Sequence, residues 1–167
     1  MDEILDFEIP AHSTRREWAV YIIVVRPTND KNSKQRFFYV GKTGDNREGC
    51  NPIISRIGNH FSFNKVHSQI RNYLKETANY KYTVFYATYG EYDPKNEERV
   101  KGFKDKINEL ERQLSCYMQE KLKNKEELLN PYKGIGMSKN KKLEREKILT
   151  EDEKKKLILL ADKAIKQ

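Results

Sequence analysis

Cysteine is nearly missing from this chain: only Cys50 and Cys116 occur, and neither lies in a CxxC or in a Cys/His spacing suited to zinc. Neither a disulfide framework nor a zinc-finger type of site can organise such a sequence. The two are read as free thiols, which fits a reducing cytoplasm. Long apolar runs are also absent, none approaching the ~20 residues that a membrane-spanning helix needs. The start, Met1-Asp2-Glu3-Ile4, has neither the basic residues nor the apolar stretch of a signal peptide. The expectation is a cytoplasmic protein with no membrane partner. No internal repeat is visible, and the Lys-rich stretch 139–147 is the only biased segment.

What is abundant is charge. The 167 residues carry 33 Lys and Arg against 25 Asp and Glu, a formal net charge of +8. Basic residues interleaved with ten Tyr and seven Phe suit phosphate contacts and base stacking. Acidic residues are plentiful too, so charge alone only makes nucleic acid an admissible partner. The length suits one domain with a real core and not two independent ones.

Residues 18–26 and 36–42 are dense in Val, Ile, Phe and Tyr, and the stretch Pro27 to Lys34 between them is made of turn formers, so they read as a β-hairpin with a long tip. Residues 80–89 alternate aromatic or β-branched residues with others up to Gly90 and read as a third strand. Between the hairpin and this strand, Pro52 opens a helical spacing of Ile53, Ile54, Ile57 and Phe61, and a second helix is expected through Val66, Ile70, Tyr73 and Leu74. The longest helical signal, Lys95 to Lys123, puts Val100, Phe103, Ile107, Leu110, Leu114 and Tyr117 on one face, which should lie across the sheet. Asn130-Pro131 and Gly134-Ile135-Gly136 read as loop, and Thr150 with Glu153 forms a capping-box pattern opening a last helix.

The polar residues on this frame form a pattern. Tyr21 and Tyr39 sit on the hairpin strands and share a face if the register brings them together. Arg56 and His60 are four apart on a helix, hence neighbours on one side. Glu111 follows Leu110 at the edge of the long apolar stripe, and Asn130 comes after. Each has an ordinary explanation alone: strand packing, a surface cation, a half-buried imidazole, a solvated acid, a turn. Together they supply proton acceptors, a cation for developing phosphate charge and a hard carboxylate for a divalent metal, the groups that phosphodiester hydrolysis needs.

At these residues the chain resembles the GIY-YIG nuclease family, with Ala19-Val20-Tyr21 standing for the first tripeptide and Tyr39-Val40-Gly41 for the second, over roughly residues 18–132. The resemblance implies an α+β fold, a small three-stranded antiparallel sheet flanked by helices, here with a helical C-terminal extension. Its implied organisation is an N-terminal arm over 1–17, a nuclease domain over 18–132, and a basic loop with a C-terminal helix over 133–167. It also implies an endonuclease that cuts DNA with one Mg²⁺ (or Mn²⁺), leaving a 5′-phosphate and a 3′-hydroxyl. By the same resemblance Glu111 would hold the metal and Arg56 would clamp the phosphate. Tyr21 and Tyr39 would position or deprotonate the attacking water, with His60 assisting. Gly41 would permit a close approach of backbone or substrate, Lys42 would lower a tyrosine pKa, and Asn130 would support the site near the scissile phosphate. Glu109 is close to Glu111 and stays open as the alternative ligand.

This sequence departs from the family pattern at Ala19, which stands for a glycine, and in its longer hairpin tip and Gly44 to Asn51 stretch. With little attached to the nuclease region, a free-standing enzyme such as a restriction endonuclease is the expectation. A duplex cut by one site per chain would call for a homodimer or for sequential nicking. The competing class is a non-catalytic nucleic-acid-binding module on the same fold.

Overall fold

The computed structural model describes residues 4–29, 35–44, 49–122, 128–134 and 138–167. Three strands carry the fold: β1 (Glu17–Pro27), β2 (Phe37–Lys42) and β3 (Tyr80–Glu91). They form an antiparallel sheet in the order β2-β1-β3. The central strand is the most apolar, and every residue from Trp18 to Val25 is buried. A strand covered on both faces loses the alternation of a half-exposed one, which is how Trp18-Ala19-Val20-Tyr21-Ile22-Ile23-Val24-Val25 reads. β3 runs past Gly90, where the sequence suggested an end, because glycine tolerates the φ of +140° found there. Of the expected hairpin tip, residues 30–34 lie outside the described residues, as do 45–48 of the second loop and Ile135 and Gly136.

Helices cover both faces. On one side lie α1 (Ile53–Asn59) and α2 (Gln69–Tyr73), whose Ile53, Ile70 and neighbouring Leu74 pack with Tyr21, Ile23, Val25 and Tyr39. The second of these is much shorter than its apolar spacing predicts. Asn64 Oδ1 accepts from Val66 N, and the Ser68 hydroxyl bonds to the Asn64 carbonyl, so side chains satisfy the backbone locally and delay the helix. Val66 and Tyr73, expected on its apolar face, are exposed.

On the other side α3 (Glu97–Lys121) crosses the sheet, with Ile107, Leu110, Leu114 and Met118 fully buried against Val20, Ile22, Phe38 and Val40. Asn96 caps it by accepting from Arg99 N. The C-terminal α5 (Glu151–Lys166) opens with the expected reciprocal Thr150/Glu153 cap and buries Leu157, Leu160, Ala161 and Ala164 in the same core. Between them the Lys-rich stretch, read only as a biased segment, forms α4 (Lys139–Glu146), capped by Ser138. Of the N-terminal arm, Ala11–Thr14 form a turn of 3₁₀-helix against α1, and His12 stacks on Tyr86 at 5.8 Å. Among the described residues no helix is long and apolar enough to cross a membrane.

Candidate active site

The β1–β2 register decides the first part of the site. Tyr21 pairs with Gly41 and Ile23 with Tyr39, so Tyr21, Gly41 and Tyr39 share a face. The Tyr21 ring lies over Gly41: a Cβ there would stand 2.4 Å from Tyr21 Cζ and Oη. The close approach at Gly41 is made by the Tyr21 side chain. Ala19 is buried without strain, its N–H donating to Thr43 Oγ1 at 2.8 Å, so its methyl is accommodated.

Helix α1 brings the next groups to that face. His60, the residue that ends the helix, is 1% exposed and puts Nε2 2.7 Å from Tyr21 Oη. Its ring also meets Tyr39 edge-on, with centroids 4.7 Å apart. One turn back, Arg56 carries the positive charge felt by both tyrosines and by His60. Its Nε is buried with no hydrogen-bond partner, as is His60 Nδ1. Buried polar groups left unpaired demand an explanation, and a guanidinium N–H in this state is suited to take an anion or a water.

Protonation states follow from burial. Burial pushes the Tyr21 phenol well above its ordinary value, the Arg56 charge opposing this only in part. Tyr39 is pushed up to about 12, again by burial first. The expected tyrosine with a lowered pKa is therefore not found, since desolvation outweighs the nearby cation. Burial and then Arg56 lower His60 to about 4. At neutral pH the pair is a protonated phenol beside an uncharged imidazole, so Tyr21 can donate and His60 Nε2 can accept.

The second part of the site comes from the opposite face. Lys42 alternates away from Gly41 and donates from Nζ to Glu111 Oε2 at 2.5 Å. Glu111 lies close enough for its charge to act on Tyr21 and Tyr39. It lines a cleft of about 380 Å³ together with Asn108, Arg112, Ser115, Asn130, Tyr132 and their neighbours. Glu109, the open alternative, is 0% exposed, and its oxygens are taken by Arg112 at 2.5 and 2.9 Å and by Gln113 at 2.9 Å. It locks α3 internally, while Glu111 alone of the two faces the cleft.

Asn130 lines the same cleft as Glu111 and also holds β2. Its amide oxygen accepts from Val40 N at 3.0 Å and its amide nitrogen donates to Val40 O at 2.7 Å. With Leu129 N donating to Phe38 O, the segment clips the free edge of β2. Three contributors escaped the sequence reading. Tyr73 stands 6.4 Å from Tyr39, ring to ring. Thr43 ties β2 to β1, accepting from Ala19 and donating to Glu17 O. Arg145 reaches the cleft from α4. Thr43 had a visible signal in its place after Lys42; the other two depend on tertiary approach.

A single carboxylate in an open cleft fits a metal of the magnesium type, which keeps much of its water and takes few protein ligands. Among the described residues no group of three or more His, Cys, Asp or Glu gathers as a multidentate cage. Compared with protein-family models, curated proteins and solved structures, the chain has no significant match.

Proposed function

We propose that the chain is a metal-dependent endonuclease of the GIY-YIG type, hydrolysing DNA phosphodiester bonds to leave 5′-phosphate and 3′-hydroxyl ends. The observation that carries this reading is the Tyr21 Oη to His60 Nε2 hydrogen bond, buried close to Arg56, whose Nε has no partner among the described residues. A protonated phenol hydrogen-bonded to a neutral imidazole is a proton relay. As an attacking water yields a proton to Tyr21 Oη, the Tyr21 proton passes to His60 Nε2. Arg56 stabilises the charge that develops on the phosphate oxygens, a task for which a planar guanidinium suits. Tyr39, against His60 and Tyr73, positions the relay from the second strand. Glu111 would hold the divalent metal, which when bound supplies further neutralisation of phosphate charge.

A second reading, a module that grips nucleic acid without cutting it, draws on the Lys42–Glu111 ion pair, which occupies one oxygen of the proposed ligand. Supercoiled plasmid incubated with the purified protein, with and without Mg²⁺ or Mn²⁺, separates the two. Metal-dependent nicking that Arg56→Ala slows by about a hundredfold or more supports the nuclease. Retention of plasmid without nicking under every metal supports the binder.

A further inference from the structure

The cleft beside Glu111 is larger than a metal site requires, and besides Val40 of β2 its walls are built from three separate parts of the chain. Asn108, Glu111, Arg112 and Ser115 come from α3, and Pro131, Tyr132 and Lys133 come from the segment that clips β2. Arg145 comes from α4. Each wall is fastened. Asn130 holds the second by its two bonds to Val40, and Gln119 Nε2 donates to Tyr132 O at 3.3 Å. The third is fastened through Glu146, which accepts from Arg112 at 3.0 Å.

That last ion pair has an electrostatic consequence. Residues 139–147 carry five basic side chains and two acidic ones. Glu146 turns inward to Arg112, so the anchoring of α4 uses up one of its two negative charges. Arg112, held by Glu109 and Glu146, is spent as a phosphate ligand. Lys133 and Arg145, by contrast, line the cleft with no ion-pair partner among the described residues. An uncompensated pair of cations lining the same cleft as the proposed metal carboxylate favours an anionic chain running through it.

We propose that this cleft is a phosphodiester-binding subsite, in which Lys133 and Arg145 hold backbone phosphates of the DNA strand flanking the cut. The assignment rests on the nuclease reading for the position of the scissile phosphate. Lys101 and Lys104 lack this continuity with Glu111 and line a separate groove with Tyr92 and Pro94.

Binding of a short labelled duplex, titrated over a range of salt without divalent metal, tests the subsite. Each phosphate contact contributes about 0.9 to the slope of log affinity against log salt, so Lys133→Ala/Arg145→Ala should lower that slope by about 2. Lys101→Ala/Lys104→Ala should leave it unchanged, and the charge-preserving Lys133→Arg/Arg145→Lys should restore it. A wild-type slope in the double alanine variant, or an equal loss in the Lys101/Lys104 variant, overturns the subsite. Plasmid cleavage by the unmutated protein reports on the nuclease reading alone, because the binding measurement involves no metal and no bond breaking.

Discussion

His60 is a buried imidazole held neutral, and acid should therefore act on the fold through it. Its ordinary pKa of 6.5 falls to about 4 in the folded chain, first through burial and then through Arg56. Between these values the unfolded chain binds a proton that the folded one refuses, so stability is full above about pH 6.5 and declines as pH falls towards 4. A difference of this size corresponds to about 3 kcal/mol at 1.36 kcal/mol per unit. For a domain of this size that is a fall in Tm of roughly 6–12 °C. The isolating comparison is His60→Gln, which keeps an acceptor for the Tyr21 hydroxyl and does not titrate. Urea unfolding of both proteins at steps from pH 7.5 to 4, plotted as a difference, should show the wild type losing about 3 kcal/mol more than the variant over that interval. The carboxylates, common to both, cancel. Parallel curves would refute the reasoning, since they would mean that His60 protonates in the folded protein as readily as in water. The neutral acceptor on which the relay depends would then go too.

The two tyrosines should separate by their hydrogen bonding. Tyr21→Phe leaves His60 Nε2 buried without its partner and should cost about 1–3 kcal/mol of stability. Tyr39→Phe, whose hydroxyl has no hydrogen-bond partner among the described residues, should melt like wild type. In both variants cleavage should drop by about a hundredfold or more, measured on plasmid at saturating Mg²⁺; normal cutting by either makes that tyrosine a packing residue. Glu111→Gln should abolish metal-dependent cleavage at unchanged Tm, while Glu109→Gln should unfold more easily by about 1–3 kcal/mol, because Arg112 loses its buried partner and keeps only the half-exposed Glu146. The opposite pattern would exchange their roles. Gly41→Ala drives a methyl into the Tyr21 ring and should lower stability by about 1–3 kcal/mol in thermal melts; an unchanged melt would show that the ring can move aside.

The sheet is legible because its strands are dense in β-branched and aromatic residues and bounded by turn formers, and α3 and α5 because their stripes are long and their caps explicit. The failures have local causes. The second helix was overextended because Ile70 and Leu74 keep helical spacing, while the polar side chains of Asn64 and Ser68 hold the backbone in turns ahead of it. Helix α4 was missed because its only apolar residue, Leu143, is exposed, so no core stripe marks it; its docking comes from the Arg112–Glu146 ion pair. The order Tyr21, Tyr39, Arg56, His60 could be read because strand pairing and an i, i+4 step turn sequence spacing into proximity. The choice between Glu109 and Glu111 could not. Both flank Leu110, and only the positions of Arg112, Gln113 and Lys42 in space show which carboxylate is already committed within α3.

The site is divided between the two faces of the sheet, and the strand order explains how the halves can act on one group. Tyr21, Tyr39, Arg56 and His60 stand on the α1 face, while Lys42 and Glu111 stand on the α3 face. Across a central strand such groups would be kept apart by a continuous ladder. β2, however, is an edge strand, and α3 lies against the sheet where β2 ends, so Glu111 comes near enough to act electrostatically on both tyrosines. An edge is also where a sheet invites wrong pairing. Asn130 and Leu129 close it at Val40 and Phe38, copying strand pairing with one side-chain amide and one backbone N–H. They leave the Gly41-Lys42 end clear of that pairing. The same clip carries Pro131, Tyr132 and Lys133 onto the cleft wall, so the residues that protect the edge also shape the cleft beside Glu111.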